Sequence, residues 1–341
     1  MKIGDTPAYH IKSLLEVAQE LGASPKQLLL DAELDPQEIE DDDNRIDLTY
    51  LMRLGRSAIN QTNRPDLGLI MGRKSQISSL GFAGLAAMTA QSLGQGLEII
   101  CHYEHLHSRC YRGTIQLQEQ DNEAALVFYS ISPYNDYNRF VVDSVLSNWA
   151  KLVSLLTQRG DLVQRVEIEF APTHYRDCYG SVFGCPVAFN SQQNALILER
   201  NALDIELKEH NPRLHTEFKR LCDQQLTLLG QTDSVSHKVQ KVLGTQLHGQ
   251  TPTIDEVALK LGTPSWTLRR KLKEENTTYQ TLVDEMRRDV ALSYTKNTDL
   301  SFGEIAYLLG FSTPGAFQRA FKRWSGQTPG EYRKSLQNKR Q

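Results

Sequence analysis

A chain of 341 residues, 40% hydrophobic and 23% charged, is long enough for two or three domains with their own cores, and its ordinary composition excludes disorder, collagen and coiled-coil rods. No apolar run approaches the roughly 20 residues that cross a bilayer, no hydrophobic stretch opens the chain as a signal peptide would, and Cys101, Cys110, Cys178, Cys185 and Cys222 make no disulfide framework; a cytoplasmic protein with no membrane partner is expected. The net charge of −3 conceals a division: Ser236–Gln341 holds 17 Lys and Arg against 10 Asp and Glu, while the preceding 235 residues hold 21 against 31. A basic tail on an acidic body points to a polyanion partner for the tail.

In chain order, Tyr9–Leu21 places Ile11, Leu14, Leu15, Ala18 and Leu21 at helical spacing, closed by Gly22. A short helix is expected over Pro25–Ala32, a loop through Asp35-Pro36 and the acidic stretch Glu38–Asp43, and a helix over Leu48–Ile59. The turn Arg64-Pro65-Asp66 leads into Leu67–Met71. Small apolar residues fill Gly81–Ala90, and Leu93–His107 reads as one helix. Thr114–Gln120 and Ala124–Ser132 read as paired strands around Asp121-Asn122. Phe140–Leu156 is the most hydrophobic helix, ended by Gly160. Val163–Phe170 alternates as a strand does, and Val187–Leu198 suggests a strand pair around an Asn-rich turn. Pro212–Leu229 is a helix with Leu214, Phe218, Leu221 and Leu228 at four–three spacing, a seam for packing at home or against a second copy. Polar, small residues mark a linker at 231–236. The expected organisation is therefore a mixed α+β domain over 1–230, serving effector binding and dimerisation, then an all-α domain over 237–341.

Within the basic tail one pattern occurs twice. Asp255–Gly262 and Gly303–Gly310 each place Val or Ile, then Ala, then Leu-Gly on a short amphipathic helix with a glycine stop. Ala258 and Ala306 leave room for a crossing helix, and Gly262 and Gly310 supply the φ > 0 of a tight turn. The helices that follow bury Leu268 and Leu272, then Phe317 and Phe321. Outward they present Arg269, Arg270, Lys271 and Lys273, then Arg319, Lys322 and Arg323. This is a helix-turn-helix drawn twice, with second helices short and cationic enough for a DNA major groove. Tyr279–Thr295 is a continuous helical pattern between the copies, a stiff spacer able to set the two reading helices on successive grooves of double-stranded promoter DNA.

The segments Ile305–Ser312, Phe317-x-Arg319-x-Phe321-Lys322 and Gly326-x-Thr328-Pro329-x-x-Tyr332-Arg333, with Arg287 and Ala291 in the linking helix, resemble the DNA-binding domain of the AraC/XylS transcriptional regulators. The body is similar to the effector domain of the ornithine-utilisation-regulator branch at Pro65–Leu69, Gly81–Leu97 and Phe183-Gly184-Cys185-Pro186-Val187-x-Phe189. The resemblance implies a bacterial regulator, more often an activator, with a small-molecule effector, RNA polymerase as partner and a possible homodimer. It also implies base contacts by Trp266, Arg269 and Arg270 and backbone contacts by Ser265, Thr267 and Lys273. Arginine binds guanine bidentately, worth roughly 1–3 kcal/mol of discrimination. In the second copy Pro314, Gly315 and Ala316 stand where amides or hydroxyls are usual, leaving Thr313, Gln318 and Arg319, with Lys322 and Arg323 on phosphate. Sequence choice is then expected to rest on the first motif.

Rival chemistry is sparse. Cys101, His102, His105, His107 and Cys110 crowd one segment, but the spacing matches no zinc knuckle, and no run of cysteines suggests alkyl repair. A metal- or cysteine-based sensor, or a repair protein using the same tail, is the alternative. There is no phosphate loop, nucleophile elbow or His-Glu-x-x-His, so neither catalytic residues nor a cofactor is expected. Arg109, Arg112, Tyr129, Tyr134, Tyr137 and Arg139 are the candidates to bind an effector; an arginine among apolar walls suits an amino-acid-like or fatty-acid-like carboxylate.

Overall fold

The computed structural model describes residues 4–42, 44–110, 114–130, 134, 138–229, 234–246, 251–297 and 300–338. The chain divides into two units, Asp5–Gln231 and Thr232–Gln341.

The front unit begins with β1 (Gly4–Pro7), α1 (Ala8–Glu20), α2 (Pro25–Ala32), β2 (Arg45–Asp47), α3 (Leu48–Thr62) and α4 (Leu67–Lys74). It continues through α5 (Gly81–Met88), α6 (Leu93–His102), α7 (Glu104–His107), β3 (Arg109–Cys110), β4 (Thr114–Glu119), β5 (Glu123–Tyr129) and α8 (Arg139–Thr157). It closes with β6 (Val163–Glu167), α9 (Asp177–Phe183), β7 (Val187–Ala188), β8 (Asn194–Glu199) and α10 (Pro212–Leu228). The helices α1–α4 bury one cluster around Ile11, Leu14, Leu28, Leu54 and Leu67. A second, larger cluster lies between α5, α6, α8 and one face of a five-stranded sheet of order β4-β5-β8-β6-β7. Strand alternation sends Ala124, Leu126 and Phe128 into that cluster, while Val127 joins Ala195 and Ile197 on the opposite face.

The two clusters are joined where α4 crosses α8. A Cβ on Gly68 would lie 2.2 Å from the Phe140 carbonyl oxygen, and one on Gly72 would lie 2.5 Å from the Asn148 nitrogen. Glycines four residues apart therefore let two backbones touch. α8 is long and apolar enough to cross a membrane by length and composition alone, which the sequence pattern had not suggested. Here it is a core helix, burying Phe140, Val142, Leu146, Trp149, Leu152, Val153 and Leu156.

Four local expectations need correction. The span Leu93–His107 is two helices, broken at Tyr103, whose buried ring sends its hydroxyl to Asp223 Oδ1 at 2.7 Å. The Val187–Leu198 strands do not pair with each other. The Asn-rich segment between them bonds to the irregular stretch after β6 (Asn190 N to Phe170 O, Ser191 N to Ile168 O), so β7 lies parallel to β6 on one side and β8 antiparallel on the other. α8 ends at Gln158 in the left-handed region (φ 57), two residues before Gly160. The acidic loop contains a short 3-10 turn, Pro36–Ile39, and gives way to β2, which pairs antiparallel with β1.

α10 resolves the open question of its seam. Cys222 is fully buried, Phe218 and Leu226 pack on the core, and His215 Nδ1 meets the Ala86 carbonyl at 2.8 Å. Its other face keeps Leu214 (44% exposed) and Leu228 (86% exposed) in the open.

The second unit is helical among its described residues: α11 (Val235–Gln246), α12 (Ile254–Lys260), α13 (Ser265–Glu274), α14 (Tyr279–Asn297), α15 (Phe302–Leu308), α16 (Pro314–Ser325) and α17 (Pro329–Asn338). The fold class is thus an α+β front domain followed by an all-α domain with two helix-turn-helix units joined by α14.

Candidate DNA interface and effector cavity

Each helix-turn-helix is fixed by the same local chemistry. α12 and α15 both open with a capping box. The Thr253 hydroxyl accepts from Glu256 N while the Glu256 carboxylate takes the Thr253 N–H, and Ser301 and Glu304 repeat this 48 residues on. Both helices end at a glycine with positive φ, Gly262 (59°) and Gly310 (67°). Thr263 N then donates to Ala258 O at 3.0 Å and Phe311 N to Ala306 O at 2.9 Å, the back-bonding that turns a chain sharply after a helix. Ala258 and Ala306 are buried, as a close helix crossing needs.

α13 buries Leu268 and Leu272 and turns Trp266, Arg269, Arg270 and Lys273 outward at i, i+3, i+4 and i+7, one helix face. Trp266 is 68% exposed, although an indole of that size normally finds a core. Arg270 Nη1 rests on Glu274 Oε1 at 2.6 Å, an exposed i,i+4 pair that a phosphate or a base can displace at little cost. Arg269 and Lys273 have no carboxylate partner among the described residues. Ser265 and Thr267 are half-buried at the start of the helix.

The second copy is offset by one residue. Counted from the turn glycine, the buried pair falls six and ten residues on in α13 but seven and eleven in α16, at Phe317 and Phe321. The Phe311 ring occupies the added space, 5.7 Å from Phe317, under the Arg287 guanidinium at 4.9 Å. Thr313 caps α16, its hydroxyl accepting from Ala316 N at 3.2 Å. Gln318, Arg319, Lys322 and Arg323 are exposed. Arg319 has no carboxylate partner among the described residues, whereas the charge of Lys322 acts on Glu331 and Arg323 stands 3.9 Å from Asp284.

Two arginines of the recognisable motifs face inward instead. Arg287 on α14 donates to the carbonyls of Leu309 (2.9 Å) and Gly310 (3.1 Å) and to Thr251 Oγ1 (2.6 Å), and burial lowers its pKa. Arg333 on α17 donates to Leu300 O at 2.8 Å and Thr295 O at 3.2 Å. Both hold turns and leave the outward surface to other cations.

The front unit contains a cavity of about 920 Å³, at the upper end of the range for small-molecule sites. It runs from β1, α1 and α7 past α8 and the core face of β5 to Gln225 and Leu229 at the end of α10. One end is polar: Tyr9, His10, Arg45, Glu104 and His107. Burial holds His10 down at about 3, helped by the charges of His107 and Arg45, and holds His107 down at about 4, helped by Arg45. Both imidazoles are therefore neutral at pH 7. Tyr9 Oη and His107 Nε2 are buried with no hydrogen-bond partner among the described residues. The middle is apolar, with Phe128 set edge-on to Trp149 at 6.1 Å beside Val145 and Leu152.

Three of the residues expected to bind an effector, Tyr129, Tyr134 and Arg139, have other surroundings. Tyr129 follows Phe128 on β5 and so faces the other side of the sheet, where its hydroxyl meets Gln118 Nε2 at 2.9 Å. Tyr134 bonds to Glu169 and to Asn194 Nδ2. Arg139 is half-buried at the start of α8, where its charge acts on Asp143. None of the three lines the cavity. The Arg109 side chain, Arg112 and Tyr137 lie outside the described residues. The histidine-rich segment held one useful signal, His107, but Tyr9, His10 and Arg45 carried none. Among the described residues no three His, Cys, Asp or Glu side chains converge as metal ligands, and Cys178, Cys185 and Cys222 are thiols.

Comparison with known proteins agrees with this division. Residues 22–207 match the family described as the arabinose-binding domain of AraC transcription regulators, and residues 257–335 match a helix-turn-helix domain family. The ornithine utilization regulator of Pseudomonas aeruginosa is 27% identical over 332 residues, covering 96% of each chain. The transcriptional regulator VqsM of the same organism is 25% identical, covering 79% of this chain and 84% of its own. Among solved structures, the transcriptional regulator CdpR of P. aeruginosa aligns with a TM-score of 0.44 at 21% identity, over 91% of this chain and 96% of its own.

Proposed function

The chain belongs to the AraC family of transcription regulators, with an N-terminal effector-binding domain and a helix-turn-helix DNA-binding domain, and we propose that it is a cytoplasmic, non-enzymatic activator whose α13 and α16 lie in major grooves of promoter DNA. The observation that carries this is the outward row Trp266, Arg269, Arg270 and Lys273, repeated on α16 as Gln318, Arg319 and Lys322. Trp266, Arg269 and Arg270 read bases. Ser265, Thr267 and Lys273 touch the backbone. On α16, Thr313, Gln318 and Arg319 approach base edges, while Lys322 and Arg323 hold phosphates.

A small molecule in the front unit shifts the population between DNA-competent and incompetent arrangements by binding them unequally. The cavity wall includes Gln225 and Leu229, so an occupant touches the end of α10, where the chain leaves that unit. Of the arginines that suggested an amino-acid-like or fatty-acid-like carboxylate, Arg139 does not line this cavity, and the Arg109 side chain and Arg112 lie outside the described residues. A homodimer through Leu214, Leu221 and Leu228, spaced by sevens along α10, gives the exposed Leu214 and Leu228 a partner. RNA polymerase is the protein partner of the second unit, whose first helices expose Leu259 and Tyr307 at repeat-equivalent positions.

Selection of bound duplexes from a randomised pool, followed by anisotropy titrations with the full chain, tests the DNA reading. Arg269→Ala should lose about 1–3 kcal/mol of discrimination at one base pair. Lys322→Ala should weaken all duplexes alike and lower the salt slope by about 1. The reverse assignment of those two phenotypes would overturn the proposal.

A further inference from the structure

Among the described residues, the cavity's polar end has donors and acceptors to spare but no spare charge. Its cation, Arg45, is already matched: Nε stands 2.6 Å from Asp5 Oδ1, and both side chains are largely buried. Arg45 also donates to the backbone carbonyls of Leu106 and Asp5. The acid at this end, Glu104, is buried and takes the Ile115 N–H at 2.7 Å. A ligand carboxylate entering here would sit beside Glu104 and two neutral imidazoles, desolvated without a counter-ion. A ligand ammonium would have to share Glu104, whose Oε2 caps Ile115 N and whose Oε1 stands 3.7 Å from His105 Nε2. Either ion would lose its hydration with little among the described residues to replace it.

What is unmatched is uncharged. Tyr9 Oη can donate and accept, and His107 Nε2 can do either according to tautomer. A buried polar atom left without a partner is costly, and a ligand that supplies one recovers that cost on binding. Beyond these atoms the wall turns apolar along Phe128, Val145, Trp149 and Leu152.

We propose that this cavity binds an uncharged amphipathic molecule, with a head offering one hydrogen-bond donor and one acceptor to Tyr9 and His107 and an apolar body along Phe128, Trp149 and Leu152. The inference rests on the reading of the front unit as an effector domain and replaces the carboxylate with a neutral head such as an amide or alcohol.

Three probes of one chain length separate the possibilities: octanamide, octanoate and octylamine, titrated calorimetrically into the full chain at pH 7.5, with hydrogen exchange to locate the site. Octanamide is expected to bind at least tenfold tighter than either ion and to slow exchange in α1 and α8. Tyr9→Phe, which removes one hydroxyl, and His107→Ala should each weaken octanamide by at least fivefold. Octanoate binding as tightly as octanamide would overturn the neutral head and leave the effector domain standing. Octanamide binding unchanged by both substitutions would overturn the placement of the head. No binding by any probe would overturn the inference together with the effector reading of this cavity.

Discussion

Asp143 is fully buried in α8, with the hydroxyls of Tyr179 and Tyr175 donating to its two oxygens at 2.7 and 2.8 Å. Burial pushes its carboxyl up to about 7; the two tyrosines and Arg139 oppose the rise, and Asp66 adds to it. A carboxyl raised in the folded state binds its proton there while the unfolded chain has already lost it. Stability from this group is therefore complete below the ordinary carboxylate range and falls as pH climbs to about 7. Asp143→Asn removes that titration. Urea unfolding should show the variant gaining on the native chain between pH 5 and pH 8, by on the order of 2 kcal/mol; a difference independent of pH would show that Asp143 is ionised throughout. Residues of this kind are the least legible in a sequence. Asp143 lies inside a hydrophobic helix with nothing to mark it, and its partners are over thirty residues away. Tyr9 and His10 meet His107 only because strands of two to four residues gather three distant segments. Trp266 and Arg269, by contrast, could be read directly, since their exposure follows from the helical period that buries Leu268 and Leu272.

At the scale of elements, the crossing of α4 and α8 explains part of the family resemblance physically. Gly68, inside the recognisable Pro65–Leu69 segment, is where a side chain would strike the backbone of α8. Gly68→Ala should destabilise the front unit by roughly 1–3 kcal/mol, as overpacked cores do. Gly180→Ala in α9, with nothing within 4 Å of the added carbon and no positive φ, should be stabilising by about 0.5–1 kcal/mol. Chemical denaturation of the two variants checks the contrast, and equal effects would mean the crossing is not tightly packed. Elements with a clear period, such as α1, α2, the β4–β5 hairpin and α14, were legible nearly to their ends. Those set by long-range pairing were not. Nothing local in Val187–Leu198 says that β6 will take the space between its two strands, and nothing in Leu93–His107 says that Tyr103 will leave the helix for Asp223. The one-residue offset of α16 was hidden for the same reason, because Phe311 acquires its role only once Arg287 covers it.

For the whole molecule, the division of charge follows the division of labour. The net +7 of Ser236–Gln341 is carried in part by α13 and α16, and the acidic excess is confined to the effector half. The motifs made this half of the account readable because base contact needs particular side chains at a helical period. Effector recognition needs only a hollow with suitable walls, which many sequences build in many ways. The linking helix α14, 19 residues and so about 28 Å long, suits a spacing near one turn of duplex, roughly 34 Å. The most direct measurement is a hydroxyl-radical and guanine-N7 interference footprint of the full chain on a selected duplex. It should show two major-groove segments, one helical turn apart on the same face of the DNA, with Arg269→Ala erasing interference in one and Arg319→Ala weakening the other. A single protected groove, or a footprint indifferent to both substitutions, would contradict the reading of these helices as a paired DNA probe.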